Sequence, residues 1–162
     1  MDVELTGYLP GAIGRITELH ALYYSAHWDF GLFFESKVAT ELSEFLSRYQ
    51  PTRDGFWVAT VNGRIVGSIV IDGDQGMTNG ARLRWFIVDP EFQGRGLGNR
   101  LLREAVDHCE KIRFGRVYLH TFAGLDPARH LYEKFGFVLT DEKQDDHWGK
   151  TVTEQTFELF LK

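Results

Sequence analysis

A chain of 162 residues is the size of one domain, and we expect residues 1–162 to form a single domain that buries about two-thirds of its unfolded surface. Its 43% hydrophobic and 25% charged residues are ordinary for a globular protein, whereas the net charge of −5 argues against a nucleic-acid-binding surface and weakly favours a cationic substrate. The lone Cys109 excludes a disulfide framework, no stretch is apolar enough to cross a bilayer, and Met1-Asp2-Val3 does not begin a signal peptide, so we expect a cytoplasmic protein.

The first half of the chain predicts a strand, two helices and a hairpin. Residues 3–9 favour a strand, and apolar residues recurring every three or four positions predict helices at 10–28 and at about 33–49. Strands are predicted at 56–61 and 65–71, joined by Asn62-Gly63, the strongest short hairpin signal. Residues 72–80 contain three glycines and no apolar periodicity, which predicts a loop.

The second half is organised around residues 83–112. This stretch predicts a strand, a glycine-rich turn and an amphipathic helix, with the strand ending at Asp89-Pro90 because proline cannot donate to a ladder. The helix carries an apolar face at Leu97, Leu101, Leu102, Ala105, Val106, Cys109 and Ile112, so Cys109 is expected in the core.

The remainder predicts a strand, a short helix and a closing hairpin. The strand lies at 116–121, and the helix begins with Asp126 as N-cap, followed by Pro127, and ends at Gly136. Strands are predicted at 138–143 and 151–161. The complete order, βααβββαβαββ, is typical of an α/β layered sheet.

The glycine-rich turn carries a possible chemistry of its own. Glycines at 94, 96 and 98 allow the backbone to approach a ligand closely, and the N-terminus of the following helix offers free N–H groups and a positive dipole end to a phosphate or pyrophosphate. Arg95 adds a charge and Gln93 a polar group. A strand-to-helix turn that needs glycine only for its geometry is the alternative. Neither the P-loop motif nor the G-x-G-x-x-G fingerprint fits.

The motif Gln93-x-x-Gly96-x-Gly98, after a strand ending Val88-Asp89-Pro90, resembles the acetyl-CoA motif of the GNAT (GCN5-related) N-acetyltransferases. Leu131-Tyr132-Glu133-Lys134-Phe135-Gly136-Phe137 resembles a second element of that family, and the resemblance is clear over residues 55–137. It implies the GNAT fold: a mixed, mostly antiparallel sheet of about seven strands with four helices on its faces. It also implies transfer of acetyl from acetyl-CoA to a primary amine by direct attack in a ternary complex.

The resemblance implies two kinds of contact with acetyl-CoA. Where the strand before the turn splays from its neighbour, the backbone of Phe86, Ile87 and Val88 pairs with the pantetheine arm, and one N–H there polarises the thioester carbonyl. The turn holds the pyrophosphate, through Gln93, Gly94, Arg95, Gly96, Leu97, Gly98 and Asn99. The alternative is that the same residues are only central-strand core, and the two roles are compatible, since the backbone can bind a ligand while the side chains pack. Leu125 stands where many relatives have an asparagine, so one side-chain contact to the cofactor is expected to be missing.

The resemblance also implies catalytic residues. Tyr132 corresponds to the family's general acid, since a phenol with a pKa near 10 can protonate a departing thiolate; a core tyrosine is the alternative. The glutamate that many relatives carry on the fourth strand is replaced here by Arg82 and Arg84. His120 takes the position of a glutamate that other relatives carry on the fifth strand, and it is the candidate base. The alternative is that His120 is a structural histidine whose hydrogen bonds are satisfied at the end of a strand.

For the amine acceptor, the family uses the loop between the first two helices and the closing hairpin. The loop after the third strand is a further part of this acceptor site. The corresponding candidates are Tyr24, His27, Trp28, Asp29 and Phe30, then residues 72–79, then Asp145, Asp146, His147 and Trp148. Arg84, with Arg82, indicates an acceptor that carries a carboxylate, although free amino acids, polyamines, aminoglycoside-like amines and protein lysines all stay open. No metal is expected, because the histidines lack ligand spacing. Many relatives pair through their closing strands, which makes a homodimer one expected state.

Two alternatives from other functional classes stay open. A non-catalytic acyl-CoA-binding sensor on the same fold would keep the glycine turn without the chemistry. A nucleotide-binding protein would use the same turn for ATP.

Overall fold

The computed structural model describes residues 2–162; Met1, on which the signal-peptide prediction partly rests, lies outside them. Along the chain run β1 (Glu4–Thr6), α1 (Ala12–Trp28), α2 (Leu32–Ser47), β2 (Gly55–Val61), β3 (Arg64–Asp72), β4 (Ala81–Val88), a 3₁₀ turn (Pro90–Phe92), α3 (Leu97–Ile112), β5 (Arg116–Phe122), α4 (Asp126–Lys134), β6 (Val138–Asp145) and β7 (Val152–Phe160). The predicted order βααβββαβαββ is confirmed. Within the described residues, no helix has the length and apolarity needed to cross a membrane.

Two predicted element ends are wrong. The first strand is shorter than predicted, because β1 pairs with β2 only from Glu4 to Thr6 before the chain turns toward α1. At α4, Leu125 is the N-cap and Asp126 is already helical, so its carboxylate does not cap the helix as predicted. The other elements begin and end within a few residues of their predicted positions.

The seven strands form one sheet in the order β1-β2-β3-β4-β5-β7-β6. Every neighbouring pair is antiparallel except β4 and β5, which run parallel. The hairpin between β2 and β3 turns at Asn62 and Gly63, whose φ angles of 51° and 79° are those a two-residue type I′ turn requires. The mixed, mostly antiparallel sheet with four helices confirms the predicted fold class.

The helices cover both faces of the sheet, because the side chains of its strands alternate between two apolar layers. Phe56 and Val58 of β2 pack against α1 and α2, while Ala59 and Val61 pack in the layer built on α3. The predicted apolar face of α3 is buried, and Cys109 is fully enclosed, as predicted.

The strands β4 and β5 separate after a short paired segment. Only Ala81 with Val117 and Arg82 with Tyr118 are in register, and no ladder joins the two strands beyond them. Just beyond this segment the pairing of β4 with β3 shifts, and Trp85 adopts a φ of 44° in the left-handed region. The buried Ser68 hydroxyl donates to the Trp85 carbonyl at 2.7 Å. This bulge bends β4 away from β5 and opens a gap between the two strands.

Candidate active site

The gap between β4 and β5 joins two spaces on opposite faces of the sheet. The first, which we call the long cleft, has a volume of about 400 Å³ and runs from the glycine turn to α4. The second, the inner pocket, has a volume of about 100 Å³ and lies under α1 and α2. Four residues line both spaces: Tyr24, Phe86, Thr121 and Tyr132. A molecule in the long cleft therefore meets a molecule in the inner pocket at these four side chains.

The glycine turn forms one end of the long cleft. Gly94 and Gly96 have φ angles of 78° and 79°, and Gly96 is the N-cap of α3 without a side-chain capping bond. A Cβ built at either glycine meets no atom within 4 Å, so the space above the turn is open. The first N–H groups of α3 thus face this space without a side-chain acceptor, which fits a phosphate or diphosphate group.

Nine of the ten residues predicted to contact acetyl-CoA line the long cleft, the exception being Arg95. The Arg95 guanidinium lies over the Phe92 ring, 5.5 Å from its centroid. The Gln93 amide donates to the Val88 carbonyl at 3.3 Å, which connects the turn to the end of β4. Leu125 also lines the cleft, where its side chain has no hydrogen-bonding group to offer.

Tyr132 lies at the junction of the two spaces. Its ring is 6% exposed and packs against Phe86, Phe137 and Phe157, with centroid distances of 5.9 to 6.0 Å. Burial raises the pKa of Tyr132, so the phenol stays protonated at neutral pH. A protonated phenol beside the gap between the strands can donate a hydrogen bond or a proton there.

A second tyrosine faces the same junction from α1. Burial raises the pKa of Tyr24, and the neighbouring Tyr132 and Tyr23 raise it further. Its ring packs on Phe34 and Phe122 at 5.0 and 5.7 Å. The sequence predicts Tyr24 as a residue that binds the acceptor but gives no sign that it lies beside Tyr132.

His120, the candidate base, lies on β5 and lines the inner pocket. Its Nδ1 lies 2.9 Å from the Thr156 hydroxyl and 3.8 Å from a carboxylate oxygen of Glu154. Burial lowers the pKa of His120, and the charge of Arg82 lowers it further, while Glu154 acts in the opposite direction. The imidazole is therefore neutral at pH 7 and able to accept a proton.

Glu154 is a site residue that the sequence analysis missed. It is 3% exposed, and its Oε2 accepts from Trp148 Nε1 at 2.9 Å and lies 3.1 Å from His147 Nε2. The other ring nitrogen of His147 contacts Asp145 at 2.5 Å. Asp145, His147 and Glu154 offer ligand atoms within 4.8 Å of one another, but both ring nitrogens of His147 are already in contact with carboxylates. The only feature of the sequence that points to Glu154 is its position as a carboxylate in the interior of a predicted strand.

The structure separates the residues predicted to bind the acceptor. Tyr24, Arg84 and Trp148 line the inner pocket, whereas His27, Trp28 and Asp29 do not. The His27 ring lies 4.5 Å from that of Tyr23, and the Trp28 ring packs against that of Phe122. The exposed carboxylate of Asp29 forms an ion pair with Lys150 at 2.7 Å. The pocket is lined instead from the inner faces of the helices, by His20, Lys37 and Glu41 among others.

A family model described as the acetyltransferase (GNAT) family matches residues 15–137. The chain belongs to the GNAT family. It is 29% identical over 126 residues to an N-acetylaspartate synthetase of Danio rerio, which covers 77% of this chain and 44% of that protein. It is 33% identical over 84 residues to the L-amino acid N-acetyltransferase AaaT of Escherichia coli, which covers 51% of this chain and 52% of that protein.

The fold agrees with solved structures of this family. The structure of yncA from Salmonella typhimurium, determined with its cofactor acetyl-CoA, matches 99% of this chain and 94% of its own with a TM-score of 0.74 at 18% identity. At that identity the likeness concerns the fold alone. The chain spans about half the length of the curated relatives it matches.

The glycine turn of this GNAT chain can be tested with a matched pair of substitutions, Gly96→Ala and Gly11→Ala. Both glycines are left-handed N-caps of long helices, with φ angles of 79° and 91°, and a Cβ added at either one would meet no atom within 4 Å. We expect both variants to lose about 1 kcal/mol of stability. Only Gly96→Ala should weaken CoA binding, by about tenfold or more, because its methyl group occupies the space above the turn. Thermal melts and calorimetric titration with CoA measure the two effects; equal loss of CoA affinity in both variants would contradict the assignment.

The electrostatics of His120 lead to a second prediction. We expect NMR titration to give a pKa for His120 below 6.5, because burial and Arg82 oppose its charge. Glu154→Gln should lower this pKa further, because it removes the group that favours the imidazolium. Glu158→Gln, on the same strand but paired with Arg116, is the control and should leave the pKa of His120 unchanged. A rise after Glu154→Gln would refute this description of the charges.

Proposed function

We propose that this protein transfers the acetyl group of acetyl-CoA to a primary amine by direct attack. The proposal rests on one observation: the long cleft and the inner pocket meet at the gap between β4 and β5, beside Tyr132. Each space is suited to one substrate. The long cleft can take an elongated molecule with a diphosphate, and the inner pocket can take a small acceptor.

The chain holds acetyl-CoA, in this proposal, mainly through its backbone. The N–H groups of residues 94–99 contact the diphosphate, whose charge suits the N-terminus of α3. The edge of β4 at residues 86–88 has no ladder with β5, so its N–H and C=O groups are available to the amides of the pantetheine arm. One of these N–H groups is placed to polarise the thioester carbonyl.

The acceptor amine must lose a proton to become a nucleophile. An alkylamine with a pKa near 10.4 is neutral in only about one molecule in a few thousand at pH 7. We propose His120 as the group that takes this proton, directly or through water. Its lowered pKa keeps the imidazole in the accepting form at neutral pH, and its contact with Thr156 orients the ring.

The departing thiolate needs a proton or a strong hydrogen bond. Tyr132 is the proposed donor, because it remains a phenol at neutral pH and lies where the two spaces meet. Cys109 does not suit a covalent relay: it is fully buried in α3, and burial raises its pKa to about 12. This burial supports attack in a ternary complex over transfer through an enzyme thioester.

The names of the relatives agree with an amine acceptor. One is named for N-acetylaspartate and one for L-amino acids. We propose the same reaction class for this chain, with a free amine of low molecular weight as acceptor, because the inner pocket is narrow and lined from two helices.

The substitution Tyr132→Phe tests the proposed function. It preserves the ring that packs on Phe86, Phe137 and Phe157 and removes only the hydroxyl. We expect kcat for an amine panel, followed by thiol release, to fall about 100-fold or more, with the KM for acetyl-CoA within about threefold of the parent value. Tyr8→Phe, whose exposed ring lines neither space, is the control and should retain full activity. Tight CoA binding by the parent protein with no turnover on any amine would instead identify a non-catalytic acyl-CoA-binding protein.

A further inference from the structure

The inner pocket is lined by more cationic than anionic side chains although the protein as a whole is acidic. The chain carries a net charge of −5, yet Lys37, Arg82 and Arg84 line this pocket and Glu41 is the one acidic residue lining it among the described residues. Its two histidines, His20 and His120, both have lowered pKa values, that of His20 falling to about 4 through burial. The local charge therefore suits an anionic group rather than the cationic substrate that the net charge favours.

Two of the three cations already have anionic partners. One carboxylate oxygen of Glu41 lies 2.6 Å from Lys37 Nζ, and the other lies 2.5 Å from the Arg84 guanidinium. Arg84 also contacts Asp72 at 3.4 Å, and its guanidinium lies over the Trp85 ring at 4.0 Å. These contacts hold Arg84 in place and leave it little capacity for a ligand.

Arg82 is the exception among the three. Its Nε is buried and has no hydrogen-bond partner, and no carboxylate in the described part of the chain lies within ion-pair distance of its guanidinium. Arg82 and Arg84 are two positions apart on β4 and so project from the same face. The pKa of Arg84 is lowered mainly by burial. The neighbouring Arg82 lowers it further, because the two cations repel each other. A buried donor and an unbalanced charge are both unfavourable unless an anion binds.

We propose that Arg82 binds a carboxylate of the acceptor, so that the protein acetylates small amino acids. This inference rests on the proposed function and names its substrate class. A planar guanidinium receives a carboxylate through two parallel hydrogen bonds, and the orphaned Nε–H is one of the donors of that fork.

The position of Arg82 agrees with this assignment. It is the last β4 residue in register with β5, so its side chain lies at the closed end of the gap, while Phe86 and Tyr132 lie at the open end. An amino acid whose carboxylate binds Arg82 lies in the same pocket as His120 and Tyr132. The small volume of the pocket, about 100 Å³, favours a molecule with few heavy atoms over a peptide.

Kinetics with paired acceptors test the inference. The probes are glycine, L-aspartate and L-methionine, with glycinamide and L-methioninamide as matched amines that lack the α-carboxylate. For the parent protein we expect at least one acid to be acetylated with a higher kcat/KM than its amide. In Arg82→Gln the KM for that acid should rise between about 10- and 150-fold, the KM for acetyl-CoA should stay unchanged, and the preference for acid over amide should disappear. Arg82→Lys, which keeps the charge without the fork, should lie in between.

Arg64→Gln is the control, since Arg64 is an exposed strand arginine outside both spaces, and it should behave as the parent. Equal activity on acids and amides, or an acid preference that survives Arg82→Gln in a protein with an unchanged melting temperature, would overturn the carboxylate site while leaving acetyl transfer intact. If no amine is turned over, acetyl transfer itself fails, and calorimetry with the same acids in the presence of CoA then decides the carboxylate site. Binding that Arg82→Gln abolishes supports the site, and absence of binding refutes it.

Discussion

The structure depends on the early separation of two parallel strands. A parallel pair normally continues its ladder for the length of the shorter strand, but β4 and β5 pair at two positions and then diverge. The divergence follows from the bulge in which Trp85 takes a left-handed conformation, which costs a side-chain-bearing residue about 1–2 kcal/mol. The Trp85 carbonyl accepts from buried Ser68, and the Trp85 ring packs on Phe45, so surrounding contacts offset that cost. Strain of this size held in place by neighbours is typical of functional sites.

Burial sets the charge distribution around this gap. Desolvation raises the pKa values of Tyr24 and Tyr132 and lowers those of His20 and His120, so all four groups are neutral near pH 7. The junction of the two spaces is therefore lined by neutral donors and acceptors, whereas Arg82, which has no carboxylate partner among the described residues, places positive charge in the inner pocket. A neutral centre beside a cationic end can hold an anionic group on the acceptor without attracting it to the reacting atoms.

Features determined by local spacing were predictable from the sequence. The amphipathic face of α3, the Asn62-Gly63 hairpin and the positive-φ glycines of the turn each depend on residues a few positions apart, and each is present in the structure. Features that depend on strand register or on packing between distant elements were not predictable. Glu154 comes close to His120 only because β7 pairs with β5, and Lys37 and Glu41 reach the pocket because α2 packs over β4. The capping role predicted for Asp126 failed because the helix begins one residue earlier than the Asp-Pro pattern indicates. The proposed roles of Tyr132, His120 and the glycine turn stay predictions.

The central claim is that acetyl-CoA binds in the long cleft, with its pantetheine arm in the gap between β4 and β5 and its sulfur beside Tyr132. A crystal structure of the protein soaked in CoA tests it most directly. We expect the diphosphate against the N–H groups of residues 94–99, the pantetheine arm along residues 86–88, and the sulfur within hydrogen-bonding reach of the Tyr132 hydroxyl or one bridging water from it. A coenzyme bound outside the long cleft, or a sulfur farther from that hydroxyl than a single water spans, would contradict it.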